Sequence, residues 1–461
     1  MKRKFPGKVP WAGLVFGAGL AARLFVSFRT ALPSVDGVIF LRMSRDMAAG
    51  EWARALERVF HPLYPLLCSP LVLLGLEPFT AARILLSLCG AAGAALVLPL
   101  STALGASRRA ALALSLLAAF SPWACRYAGD AYSEPLFSLL AALAALLYLR
   151  QREDPAARRA TAFLAGAAAG LAFSTRPEGA ALAGAFLLAG PGRIPLSLGA
   201  LLPASAYLGA RFLLLGVLGP TPKLGFMLPM GPLGRESLPA GILLYLENLG
   251  KALLLGFEAL GPLGWSLALL GILSFLFRRK SSSAGAGPIL LALLFAWTAM
   301  AAFQVKRRFL VDWAPILYSF GALGWDLLAP RGKKVLPFLL AAALVSDLAR
   351  LYPPRKFDKI GEVVLARWLK SRLGPGERIV TDLPRVAYYA GFPPPPPRVP
   401  TPADLAGEGA DPRVRFLVLG SRRELLRRFG PPPPWRPARL PQDVARAAED
   451  RGIAVFTRPG R

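Results

Sequence analysis

Long apolar runs separated by short basic clusters fill residues 1–350. Runs near Trp11–Phe28, Ala81–Leu104, Ala110–Ala124, Pro135–Leu149, Thr161–Ser174, Ala180–Ala189 and Ile194–Leu218 approach the length a helix needs to cross hydrocarbon. Others follow near Leu260–Phe277, Pro288–Phe303, Leu310–Leu328 and Val335–Leu348. The pattern predicts a polytopic α-helical membrane protein with about eleven transmembrane helices. Several runs are short or rich in Gly and Ala, as in Phe163–Phe173, and small residues let helices approach closely in lipid.

Between the first two runs, Ser34–Leu67 has a different pattern. Asp36 sits in an Asp-Gly pair expected to form a turn. The helical run after it places Phe40, Met43 and Met47 on one side and Arg42, Arg45, Asp46 and Glu51 on another, which predicts an amphipathic helix lying on the bilayer. The segment ends at His61, the only histidine, in His-Pro-Leu-Tyr-Pro. Residues 29–80 thus read as an outer loop of the membrane domain.

Residues 351–461 read as a small α/β domain. An amphipathic helix is expected over Phe357–Leu373, strands over Arg378–Thr381, Phe416–Leu419 and Ala454–Phe456, and helices over Arg422–Phe429 and Gln442–Arg451. The runs Pro393–Pro397 and Pro431–Pro434 favour stiff, extended loops.

The net charge of +28 changes the picture less than its size suggests. Nucleic acid is not implied, because the basic residues fall in short clusters between apolar runs. Lys2–Lys4, Arg108–Arg109, Arg150–Arg159, Arg193, Arg278–Lys280 and Arg331–Lys334 all lie on one side if every run crosses once. The positive-inside rule makes that side cytoplasmic, with the N-terminus, and places the 351–461 domain outside. An uncleaved first span fits the start better than a signal peptide, since no small-residue cleavage site follows it. Three cysteines in apolar surroundings and one histidine give neither a disulfide framework nor a Cys/His metal site. No Walker or Rossmann pattern occurs, which argues against ATP-driven transport by this chain alone.

The candidate chemistry gathers at the outer boundary. Asp36 can act as a general base toward an acceptor hydroxyl or amine; the alternative is a plain turn after a span. His61 can bond a phosphate or an acceptor, or cap an interfacial helix. Tyr64 fits an interfacial anchor better than a catalyst. Asp130 and Glu134, four apart, would share a helix face and could position an acceptor or bind a divalent metal, or lie in a solvated loop. Arg176 with Glu178, and Lys306, Arg307 and Arg308, are charges kept where topology disfavours them. Arginines there suit the phosphate of a lipid-linked donor, with snorkelling as the alternative. Arg83 is a weaker candidate for the same task.

In this order the segments resemble the GT-C superfamily of membrane glycosyltransferases. The nearest branch is the bacterial relatives of dolichyl-phosphate-mannose protein mannosyltransferases and lipid A aminoarabinose transferases. The resemblance rests on Asp36-Gly37 and the helix after it, His61-Pro62-Leu63-Tyr64-Pro65, Ala82-Arg83, Asp130–Phe137, Ser174–Gly179 and Arg307–Pro315. It implies Asp36 as the general base, a polyprenyl-phosphate-linked sugar as donor, inverting transfer to a glycan, lipid or protein acceptor, and residence in a bacterial inner membrane. Gly37 replaces the second acid of many relatives, and Leu63 replaces a proline. A transporter or flippase of lipid-linked glycans is the competing reading; the chain shows no clear internal repeat.

Overall fold

Hydrocarbon offers no water to receive backbone hydrogen bonds, so apolar runs close them internally. In the computed structural model they do so as helices over Pro10–Phe28, Pro78–Leu104, Arg108–Phe120, Glu134–Arg150, Arg158–Thr175, Gly179–Ala189, Arg193–Leu215, Leu238–Phe277, Gly287–Ala301, Ala314–Leu328 and Val335–Leu351. The structure describes residues 10–151, 158–189, 192–219, 232–234, 237–277, 286–303, 305–330, 332, 334–392, 411–420 and 435–458. Among these, four helices are long and apolar enough to cross a membrane: Trp11–Phe28, Pro78–Leu104, Arg193–Leu215 and Leu238–Phe277. The other apolar helices are shorter, except Arg158–Thr175, which matches Trp11–Phe28 at 18 residues but is less apolar. Of the basic clusters used for orientation, Lys2–Lys4 and Arg278–Lys280 lie outside the described residues, as do Arg152, Arg331 and Lys333.

Two of the expected runs are built differently. Much of the stretch between the expected runs Ile194–Leu218 and Leu260–Phe277 is helix, because Leu238–Phe277 continues for 40 residues. It bends at Gly261 (φ 77°, ψ 159°), where only glycine avoids strain and Pro262 withholds an N–H. The run Ala110–Ala124 breaks at Ser121, and a second helix, Pro122–Gly129, starts from the proline. Pro122 has no N–H to give the Ala118 carbonyl. Arg23, 2% exposed within the first span, supplies one: its guanidinium donates to Ala119 O (2.8 Å), Gly19 O (3.0 Å) and Ala118 O (3.4 Å).

Close helix approach follows the glycines anticipated in Phe163–Phe173. A Cβ on Gly166 would run into the Leu196 carbonyl oxygen, and one on Gly170 into that of Ala200. Gly199 faces the Phe163 carbonyl in the same way. The helices Arg158–Thr175 and Arg193–Leu215 therefore touch backbone to backbone.

The chain divides into two compact units: Met1–Phe28 with Met43–Pro353, and Arg29–Arg42 with Pro354–Arg461. Residues 29–42 thus belong with the tail and not, as expected, with the membrane helices. In the second unit a 3₁₀ turn, Phe357–Lys359, leads into the helix Ile360–Arg372. Strands β1 (Arg378–Thr381), β2 (Val414–Leu419), β3 (Arg436–Pro437) and β4 (Ala454–Thr457) form one sheet in the order β1-β2-β4-β3. The β1/β2 pair is parallel, while β2/β4 and β3/β4 are antiparallel. Its core includes Leu365, Leu369, Val386, Phe416, Val418, Val444 and Val455, from the sheet and the helices Ile360–Arg372, Pro384–Ala390 and Gln442–Asp450. The expected helix Arg422–Phe429 and both proline runs lie outside the described residues.

Gly166→Ala should lower stability by about 1–3 kcal/mol through overpacking, read as a lower melting temperature in detergent. Gly17→Ala, with open space around it, should leave the melting temperature unchanged.

Candidate active site

Local capping decides the placement of Asp36. Ser34 Oγ accepts the Gly37 N–H (2.8 Å) and Ser34 O accepts that of Val38 (3.0 Å), so a helix starts here and runs from Val35 to Ala48. Asp36 stands in its first turn, where the helix dipole favours a carboxylate; the expected Asp-Gly turn does not form. The expected surface-lying helix is also corrected. Phe40, Met43 and Met47 are buried, but so is Asp46, which lies 3.7 Å from Arg58. A helix resting on a bilayer would keep that side in water.

His61 is 3% exposed and packs between the rings of Phe173 (5.5 Å) and Tyr207 (5.3 Å). It is a packed imidazole, not an interfacial cap. Pro62 caps the helix Leu63–Leu73, and Tyr64, in its first turn, is fully buried, so it does not anchor the chain at an interface.

Within the first unit a buried charged cluster forms around Arg176. Its guanidinium lies 2.8 Å from Glu134 Oε1, 2.9 Å from Glu178 Oε1 and 3.3 Å from Asp312 Oδ2. Nε also reaches Glu178 Oε2 (3.4 Å), and Nη1 reaches Ser133 Oγ (3.5 Å). Arg176, Glu134 and Asp312 are all buried. The contacts to Glu178 and Ser133 are hydrogen bonds, while Glu134 and Asp312 add negative charge at ion-pair distance. Expected at the donor phosphate, Arg176 here faces three carboxylates instead.

The three acids reach Arg176 from separate segments. Glu134 begins the helix Glu134–Arg150, Glu178 lies in the break before Gly179, and Asp312 ends the short helix Arg307–Asp312. Asp312, an acid in an apolar run, lies four residues after Arg308, but its ion pair is with Arg176. Arg308 Nε lies 4.0 Å from Glu134 Oε1, and its guanidinium faces the rings of Tyr132 and Phe309.

Other expected residues are placed apart. Asp130 and Glu134 do not share a helix face: Asp130 closes Pro122–Gly129, and Ala131 follows with φ 60° before the next helix begins. With Glu134 held by Arg176, the pair does not fit a metal, and no group of three His, Cys, Asp or Glu among the described residues does. Arg307 stacks on Trp123 (3.7 Å) and pairs with Glu258 (3.2 Å). Lys306 is exposed, and Arg83 sits over the Phe79 ring one turn away on its own helix. Asp36 belongs to the other unit.

No protein-family model matches the chain, and neither does any curated protein. Solved structures do. ArnT from Cupriavidus metallidurans bound to undecaprenyl phosphate aligns with a TM-score of 0.62 at 16% identity, covering 97% of this chain and 98% of that one. The Archaeoglobus fulgidus oligosaccharyltransferase in complex with Zn and sulfate aligns with a TM-score of 0.59 at 17% identity, over 87% of this chain and 68% of that one. The mycobacterial arabinofuranosyltransferase AftD aligns with a TM-score of 0.55 at 17% identity, over 90% of this chain but 37% of its own. The fold is that of the GT-C glycosyltransferases.

Arg176→Met leaves three acids without their shared cation and should cost about 3–5 kcal/mol, seen in unfolding of the purified protein. Asp312→Asn should cost less, since it removes negative charge from a cluster already rich in it.

Proposed function

We propose that this protein is an integral-membrane glycosyltransferase. It moves a sugar from a polyprenyl-phosphate carrier to an acceptor on the extracytoplasmic face of a bacterial inner membrane. The observation that carries the reading is the fold shared over almost the whole of both chains with ArnT bound to undecaprenyl phosphate. A donor of that kind brings its leaving group to the membrane boundary, which suits a chain with no nucleotide-binding pattern.

Asp36 is the general base. Its carboxylate takes the proton from the acceptor hydroxyl or amine as the acceptor's electron pair attacks the anomeric carbon. The bond from that carbon to the phosphate oxygen breaks, the phosphate leaves with the pair, and the configuration inverts. Lys306, Arg307 and Arg308 are the cations assigned to the departing phosphate, with Arg83 in support; such contacts strengthen as charge develops on the oxygen. Arg176 serves the fold around them. The N-terminus is cytoplasmic and residues 354–461 are outside, as the basic clusters direct.

Reconstitution with a panel of undecaprenyl-phosphate sugars, following release of undecaprenyl phosphate, tests this. Asp36→Asn should cut transfer by roughly 10²–10⁴-fold with normal yield. Wild-type transfer by Asp36→Asn contradicts the assignment. Movement of intact donor between leaflets, with no loss of sugar, identifies a flippase instead. Arg308→Gln should raise the KM for donor.

A further inference from the structure

The segment that carries the proposed base belongs to the tail unit. Arg29–Arg42 clusters with Pro354–Arg461, and backbone bonds tie the two: Ala31 N–H to Arg355 O (3.0 Å) and Arg355 N–H to Arg29 O (3.1 Å). One side chain reaches further. Arg385, 4% exposed at the start of Pro384–Ala390, donates through Nε to Pro33 O (2.9 Å). Its Nη1 donates to Glu362 Oε1 (3.2 Å) and Oε2 (3.0 Å). Glu362 also accepts from Arg451 Nη2 (3.2 Å), and Arg451 Nη1 lies 3.4 Å from Asp358.

Pro33 is buried, and a buried carbonyl needs a donor. It directly precedes Ser34, the residue whose hydroxyl and carbonyl start the helix of Asp36. The line therefore runs from a buried ion pair in the tail, through one carbonyl and one helix cap, to the carboxylate. From this geometry we infer that Arg385 is a positioning residue for Asp36, acting through Pro33 and the Ser34 cap. The inference rests on Asp36 being the general base. It gives the tail unit a part in catalysis: a misplacement of about 1 Å at a reacting group can cost 100-fold in rate. Glu362 supplies the countercharge that lets a guanidinium stay buried there.

The test uses the full-length protein in liposomes, with the panel donor that supports transfer and release of undecaprenyl phosphate as readout. Arg385→Gln should lower kcat by about 10–100-fold with the KM for donor unchanged. Arg385→Lys should recover part of the loss. In an Asp36→Asn background, Arg385→Gln should cost nothing more, because there is no base left to place. Wild-type kcat in Arg385→Gln, a loss confined to KM, or a full additional loss in the Asp36→Asn background overturns the inference. If Arg385→Gln does not fold, Ser34→Ala breaks the same line nearer its end and should show the same kcat-only loss; wild-type kcat there overturns it. An active Asp36→Asn enzyme removes the underlying reading, whereas an inactive one beside an unimpaired Arg385→Gln removes this inference alone.

Discussion

A charge buried inside a protein must bring its partner with it, and Arg176 brings three. The arginine lies in the break between Arg158–Thr175 and Gly179–Ala189; its acids come from that break, from the head of Glu134–Arg150 and from the end of Arg307–Asp312. None of these segments can settle alone without stranding a charge. The cluster fixes where each stops or starts, and Arg308 is drawn to its edge by Glu134. Glu134 also stands at a helix N-terminus, where a carboxylate is favoured, and Pro135 follows at a position that needs no N–H. The same logic explains Arg23, whose partners are backbone carbonyls, among them that of Ala118, which Pro122 leaves without an N–H, not acids.

The proposed base is held by other means. Asp36 stands at a helix start set by Ser34 and reinforced through Pro33 from the tail. That position suits a group that must meet an incoming acceptor. The first unit places its charges by ion pairing among membrane helices; the second places one acid through a small sheet domain.

Local signals carried far in this sequence. The helices fall close to the apolar runs, the glycines of Phe163–Phe173 do sit at backbone contacts, and β1 spans the expected residues. What failed was decided by distant partners or competing caps. The Asp-Gly pair reads as a turn until Ser34 is seen as a stronger local acceptor. Asp130 and Glu134 read as one helical face until Ala131 turns left-handed between them. His61 looks interfacial because Phe173 and Tyr207, which enclose it, lie more than a hundred residues away. Arg176 reads as a phosphate ligand because three acids from three segments cannot be assembled from spacing alone.

The account stands on direct displacement of a lipid phosphate by an acceptor that one carboxylate has deprotonated. Nuclear magnetic resonance of the glycosylated product, made from a donor of known anomeric configuration, tests this most directly. The account predicts an inverted anomeric centre in every product molecule, with one polyprenyl phosphate released per sugar transferred. Retained configuration would mean a different chemistry and would contradict it.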